Sequence, residues 1–356
     1  MSFSGVKMNS QNTKHVLKIE ADSNDPAIKA SFEEAIKFAH TIIFNGPWAQ
    51  DLDATLITAS LNDDFIGAVR KVGDNQHIKS PELDAYDTER FGGTVAAKTM
   101  PITDDHKEVR ILFNGQLWTH GDDRSKLIAL KSALHEMAHA LIGTLRWQSG
   151  ALDGVTFPSR TPAEYARSIV RIAAEECRVE MLCALVLSKI ATTEKDGVSR
   201  PIRPTDLEIG FYRDRLKEIL DSKIHPGWPD LIQSYREYQI PLDKAWLQIV
   251  NETGQALTLL AFCEAEAESL ERQPPLFDEL EQHRGAKLYL APAWGEVSIV
   301  LKSQSVIPGL QEFKDREIEL LDVGERAVFS IWRSLGLTFD IRPDKSYGIK
   351  VQAPHR

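Results

Sequence analysis

The sequence is poor in cysteine and has no long apolar run. Its three cysteines match neither a CxxC zinc knuckle nor the framework of a disulfide-rich secreted domain, which favours a reducing compartment. Because no run of about 18 apolar residues occurs, no membrane span is expected. The first residues lack the apolar core of a signal peptide. We therefore expect a cytoplasmic protein with no membrane partner.

Basic residues are fewer than acidic residues. The chain carries 42 basic and 52 acidic residues, a formal net charge of −10. This balance counts against a nucleic-acid partner, because the phosphate backbone attracts basic surfaces. At 356 residues, of which 42% are hydrophobic, the chain is long enough for two domains or for one large domain with an added module.

Patterning along the chain predicts an α+β fold in four segments. Residues 1–25 are polar and aperiodic, which predicts a flexible tail. Residues 26–195 mix strand and helix patterns, and a polar linker after about residue 192 leads to a helical region over 196–284. Stretches such as "KLYLAPAWGEVSIVL" and "LTFDIRP" predict a β-rich module over 285–356, whose partner the sequence does not identify.

Within residues 26–195, the pattern predicts a helix from Asp25 to Gly46-Pro47. It then predicts two strands joined by a turn at residues 62–64, and a further strand over "EVRILFN". A helix capped by Asp122 or Asp123 follows. A second long helix begins at "TPAEYARS", where Thr161 and Glu164 form a capping box around a first-turn proline.

The first of these two long helices carries "SALHEMAHALIG", residues 132–143. Positions i and i+4 share one face of a helix, so His135 and His139 can offer their imidazoles to one metal ion. Glu136 is rotated by about 100° and can flank the ion as a general base. A chance occurrence of this pattern, as polar decoration of a helix, is expected only a few hundredths of a time in such a chain, roughly estimated.

A third ligand is predicted on the second long helix, in "AAEECRVEMLCALVL". Glu176 and Glu180 fall on its apolar face, where two carboxylates four residues apart repel each other and lose hydration. A cation bound to Glu176, and a histidine N–H bonded to Glu180, would remove that cost. Glu175 points toward the polar side, where Arg171 and Arg178 can pair with it. The alternative is an interhelical ion pair for both carboxylates.

These residues carry a resemblance to known proteases. His135-Glu136-x-x-His139 followed by Glu176-x-x-x-Glu180 resembles the zincin metallopeptidases in their gluzincin arrangement. The "EECRVEMLCALVL" stretch is similar to the third-ligand helix of ImmA/IrrE-like peptidases. "VRILFNGQLW…LHEMAHAL" is similar to the strand-then-helix core of SprT-like proteases. Those proteases take a third histidine soon after the motif, whereas this chain has none between His139 and His225.

The resemblance, over residues 109–190, implies a zincin-like catalytic domain over 26–195. One Zn²⁺ per chain would be held by His135, His139 and Glu176. A small antiparallel sheet would place an edge strand above the cleft, where an extended peptide can pair with it. We expect that strand to be the run Val109, Arg110, Ile111, Leu112 and Phe113.

The sequence thus predicts a zinc-dependent metallopeptidase that hydrolyses a cytosolic peptide or protein, with Glu136 as its catalytic base. Two alternatives stay open at this point. One is a non-catalytic metal-binding or scaffold protein with a regulatory role. The other is a SprT-like protease associated with DNA.

Overall fold

The computed structural model describes residues 14–75, 89–90, 93–94, 97–103, 105–118, 122–151, 161–190, 192–195, 198–202, 207, 211–269, 282–303, 306–344 and 346–352. These residues form an α+β protein that is mostly helical, with small sheets. Among them, no helix combines the length and the apolar character that a membrane crossing requires.

The chain divides into two compact units. The first comprises the described residues of Met1–Ala151, Leu182–Leu207 and Ile307–Lys314. The second comprises those of Leu152–Met181, Glu208–Val306 and Asp315–Arg356. One long helix, α4 (Pro162–Ile190), is continuous across this division and supplies residues to both units.

The first unit contains a four-stranded sheet in the order β1-β2-β6-β5. Its strands are β1 (Val16–Ala21), β2 (Leu56–Asn62), β5 (Ala97–Pro101) and β6 (Glu108–Asn114). Strands β1, β2 and β6 run parallel, and β5 is antiparallel to β6. The predicted antiparallel sheet is therefore wrong. Parallel neighbours need a crossover connection, and helix α1 (Pro26–Phe44) is the crossover between β1 and β2.

Two further predictions for this region are wrong. Residues 16–21 were predicted to belong to a flexible tail, but they form β1; residues 1–13 lie outside the described part of the chain. The second strand predicted after residue 64 is instead helix α2 (Phe65–Asn75). Asp64 accepts a hydrogen bond from the Gly67 N–H at 2.9 Å, as a helix cap does.

Strand β6 was predicted to be the edge of the sheet, and this prediction is wrong. It pairs with β2 on one side and with β5 on the other. Residues Ile111, Leu112 and Phe113 are each at most 1% exposed, as expected for a strand covered on both faces. Within the described residues, β5 pairs only with β6 and forms that edge of the sheet.

Helices cover both faces of this sheet. On one face, Phe113 lies edge-on to Phe32 of α1, with ring centroids 5.4 Å apart, and Trp118 packs against both rings. On the other face, Leu112 and Met100 pack against the buried side of α2. Neighbouring residues of a strand face opposite sides, so Ile111 and its cross-strand partner Thr99 face away from α2.

Both long helices begin at the predicted caps. In α3 (Asp123–Gln148), Asp122 accepts a hydrogen bond from the Ser125 N–H at 2.7 Å. At the start of α4, the Thr161 N–H donates to Glu164 at 3.0 Å, and the Glu164 N–H donates to the Thr161 hydroxyl oxygen at 3.2 Å. This reciprocal pair confirms the capping box.

Short two-stranded pairs complete the described β structure of the first unit. Strand β3 (Glu89–Arg90) pairs with β4 (Gly93–Thr94). Strand β7 (Thr192–Lys195) pairs with β8 (Val198–Pro201), so part of the predicted linker forms a hairpin.

The second unit is built from helices around a tryptophan-rich core. Besides the first part of α4, it contains α5 (Phe211–Ile219), α6 (Gly227–Arg236), α7 (Leu242–Ser269), α8 (Ala291–Ser303) and most of α9 (Leu310–Ser334). One π-helical turn, Leu220–Ile224, continues α5, and another, Ala286–Leu290, leads into α8. Trp228, Trp246, Trp294 and Trp332 are at most 3% exposed.

The β-rich module predicted over residues 285–356 is not present. This segment holds α8 and α9, followed by one hairpin of β9 (Leu337–Ile341) and β10 (Tyr347–Val351). Its buried residues recur at helical spacing, as at Phe313, Leu320 and Val328. In "KLYLAPAWGEVSIVL", residues such as Trp294 and Val297 are core residues of helix α8, whereas "LTFDIRP" does contain the strand that its pattern predicts, β9.

A partly buried histidine on α1 is expected to make the first unit less stable in acid. Burial, and secondarily the nearby His15, lower the pKa of His40 from 6.5 to about 4. As the pH falls from 6.5 toward 4, the unfolded chain binds a proton that the folded chain rejects, so stability decreases. We expect the free energy of unfolding to fall by about 3 kcal/mol over this window through His40.

Denaturant titrations at pH 7, 5.5 and 4.5 measure this loss. The His40→Gln side chain does not titrate in this range, so the free energy of unfolding of this variant should fall less between pH 7 and pH 4.5 than that of the wild type. Identical pH dependence of the two chains would contradict this prediction.

Candidate metal centre

The structure brings the three predicted ligands together. His135 and His139 lie one turn apart on α3, and Glu176 lies on α4. One ligand atom from each of the three side chains can be chosen so that all lie within 4.8 Å of one another, and each residue is partly buried. No other group of three or more histidine, cysteine or acidic residues among the described parts of the chain meets this criterion.

Local sequence explains why the two histidines point the same way. The α3 residues around them, such as Leu134, Ala138 and Leu141, are fully buried and fix the rotation of the helix. The two Nε2 atoms are 3.1 Å apart, and the rings meet at 71°. Two zinc–nitrogen bonds of about 2.05 Å at a tetrahedral angle would separate the nitrogens by about 3.3 Å. The observed separation therefore suits two ligands of one small ion.

A hydrogen bond between the two imidazoles also explains a distance of 3.1 Å, provided that one ring is the donor tautomer. It does not explain why a Glu176 carboxylate oxygen lies within 4.8 Å of a ring nitrogen of each histidine. Two imidazoles and one carboxylate are a donor set that Zn²⁺ takes in catalytic sites, where a fourth position stays open for water. The residues present thus fit zinc.

Three further residues of this part of α4, Glu180, Arg178 and Cys177, are buried. Glu180 lies one turn after Glu176 and is 5% exposed; its bond to a histidine stays a prediction. Arg178 was expected on the polar side of the helix, but it is buried and donates to Glu317 at 2.7 Å. Cys177 is buried, with its Sγ atom 3.9 Å from the Met181 sulfur.

Glu136 is outside the ligand group and lies on the side of α3 that faces strand β5. Its side chain is buried, and its Oε2 atom accepts a hydrogen bond of 2.7 Å from the Thr99 hydroxyl. The same hydroxyl lies 3.0 Å from the Glu136 carbonyl oxygen. Sequence reasoning missed Thr99, because it precedes Glu136 by 37 residues and no local pattern links the two.

Comparisons with known proteins add no assignment. No family model, no curated protein and no solved structure matches the chain.

Proposed function

We propose that the protein is a zinc-dependent peptidase with a zincin-like core that hydrolyses a peptide or protein substrate in the cytoplasm. The observation that carries this proposal is the convergence of His135, His139 and Glu176. Glu136 follows His135 directly in the chain and is not part of this group; its carboxylate is bonded to Thr99. This arrangement provides three ligands and one carboxylate that remains available for proton transfer.

The proposed roles follow from the position of each side chain. His135 and His139 would hold Zn²⁺ through Nε2, and Glu176 through a carboxylate oxygen. The bound ion would supply a Lewis acid that makes water nucleophilic at neutral pH. Glu136 would accept a proton from the attacking water on its carboxylate and deliver it to the nitrogen of the departing amine.

The substrate would add to strand β5 rather than to β6. Backbone groups at a sheet edge can pair with an extended peptide, and β5 is the edge strand nearest to Glu136. The Ile102 N–H donates to the Glu108 carbonyl at 2.7 Å, which fixes the alternation of bonded and non-bonded pairs along β5. By this alternation, the N–H and C=O of Thr99 point away from β6.

A non-catalytic protein stabilised by metal is the second candidate. Glu136 is only 7% exposed and is bonded to Thr99 of the same chain, as a purely structural carboxylate would be. Both candidates require the ion, but only the peptidase requires Glu136 to exchange a proton.

Metal content and hydrolysis test the proposal together. We expect purified protein to carry about one zinc per chain. It should cleave a mixture of internally quenched fluorescent peptides, lose this activity in chelator and regain it with added zinc. His139→Ala should lose both the zinc and the hydrolysis, because two ligands hold the ion far more weakly than three.

His283→Ala is the matched control. His283 lies in the second unit, where it contacts Asp221 at 3.0 Å, and its loss should leave the zinc content unchanged. Full zinc occupancy in His139→Ala, or undiminished hydrolysis in chelator, would count against the proposed centre.

A further inference from the structure

We infer that Thr99 is a positioning residue that holds the Glu136 carboxylate in its working orientation. This inference rests on the proposed peptidase function. The observation that supports it is the hydrogen bond of 2.7 Å that the Thr99 hydroxyl donates to Glu136 Oε2. Thr99 does not belong to the group of ligand atoms, so it acts through Glu136 rather than on a bound ion.

The hydroxyl has one proton and two acceptors within reach. The Glu136 carbonyl oxygen is 3.0 Å away, and the carboxylate oxygen is 2.7 Å away. The carboxylate oxygen is the nearer of the two acceptors, so we assign the hydroxyl proton to it. Strand β5 thereby restrains a side chain that otherwise has three rotatable bonds.

The backbone groups of Thr99 are available to a substrate peptide at the edge of the sheet. Its side chain faces α3, whereas its N–H and C=O point to the outer edge of β5. Two positions further on, Pro101 has no N–H to offer, which limits the registers in which a peptide can pair. A peptide bonded to the Thr99 backbone would therefore be aligned by the same residue that orients the general base.

The competing explanation is mechanical: Thr99 merely fastens α3 to the sheet. The two explanations differ in what they predict for catalysis. A fastener affects stability and metal content, whereas a positioning residue affects kcat at full zinc occupancy. Misplacing a reacting group by about 1 Å can cost about 100-fold in rate.

Thr99→Val removes the hydroxyl and keeps the branched shape. With the quenched peptide that the wild type cleaves best, we expect kcat to fall roughly 10- to 100-fold, while KM and zinc content stay nearly constant. Thr99→Ser restores the hydroxyl and should restore most of the rate. Thr58→Val, the same change on β2 of the same sheet, should leave kcat nearly unchanged.

A stability measurement tests the contact without relying on activity. In zinc-free protein, Thr99→Val should lower the folding equilibrium constant roughly tenfold more in the wild type than in the Glu136→Ala background. The bond to the carboxylate exists only in the wild type, whereas the hydroxyl can bond to the backbone carbonyl of residue 136 in both backgrounds. Equal losses in the two backgrounds would overturn the inference. So would a Thr99→Ser chain as slow as Thr99→Val.

These outcomes separate this inference from the proposed function. A wild-type chain that binds zinc but cleaves none of the peptides would contradict the peptidase proposal. The stability comparison would then still decide whether Thr99 holds Glu136.

Discussion

Glu136→Gln is expected to lower kcat roughly 1,000-fold while zinc content stays at the wild-type level. The amide has the size and shape of the carboxylate, and its oxygen can still accept the hydrogen bond from the Thr99 hydroxyl. What it loses is the ability to take a proton from water. Because Glu136 is not among the three clustered ligands, the change leaves the donor set intact.

Single-turnover kinetics and elemental analysis of the same preparations measure these two quantities. Glu252→Gln is the matched control, since Glu252 is also a buried helical glutamate, bonded to the Trp228 indole N–H in the second unit. Its activity should equal that of the wild type. Unchanged hydrolysis in Glu136→Gln would refute the role of general base, and loss of zinc would make Glu136 a structural part of the centre.

The parts of the site that the sequence predicts are those that helical geometry determines locally. A spacing of four residues places His135 and His139 on one face, whatever surrounds the helix. Stepping by 100° along α4 separates Glu176 from Glu175 by the same logic. The structure places Glu176, and not Glu175, with the two histidines.

For α2, α8 and α9 the local pattern itself predicted strands, whereas the wrong position of β6 in the sheet concerns pairings between distant segments. The alternation in "EVRILFN" predicts strand β6 with the correct extent, but which strands flank it depends on β2, more than 40 residues earlier, and on β5. A strand pattern alone does not distinguish an interior strand from an edge strand. The sequence does not predict the role of Thr99 for the same reason, because its partner Glu136 lies in another element.

The burial of Arg178 is another feature that the sequence pattern did not predict. Arg178 was predicted to lie on the polar side of its helix because Glu175 is three residues away. Its burial is due to Glu317, which lies 139 residues later in the chain on α9. Spacing within one helix identifies neighbours on that helix, and it does not show when an opposite charge from elsewhere makes burial tolerable.

This buried pair leads to the largest expected loss of stability. The side chains of Arg178 and Glu317 are 3% and 1% exposed, and the guanidinium Nη1 lies 2.7 Å from the carboxylate. Arg178→Met removes one charge and leaves the Glu317 carboxylate buried without this guanidinium. We expect a cost of about 3–5 kcal/mol in the free energy of unfolding.

The chain offers a control between the same two helices. Arg167 of α4 binds Asp322 and Glu325 of α9 at 2.6 Å each, but the Arg167, Asp322 and Glu325 side chains are 44%, 45% and 27% exposed. Water screens such pairs, so Arg167→Met should cost no more than about 1 kcal/mol despite removing two contacts. The comparison isolates burial, because the residue type, the helices and the bond lengths are nearly the same.

Denaturant unfolding of the zinc-free variants measures both costs. The double variant Arg178→Met/Glu317→Leu should recover most of the stability lost in Arg178→Met, since it also removes the buried carboxylate and fills the space with apolar groups. If Arg167→Met and Arg178→Met cost the same, burial does not determine the strength of this ion pair. If the double variant is less stable than Arg178→Met, the attraction between the two charges exceeds the cost of removing them from water.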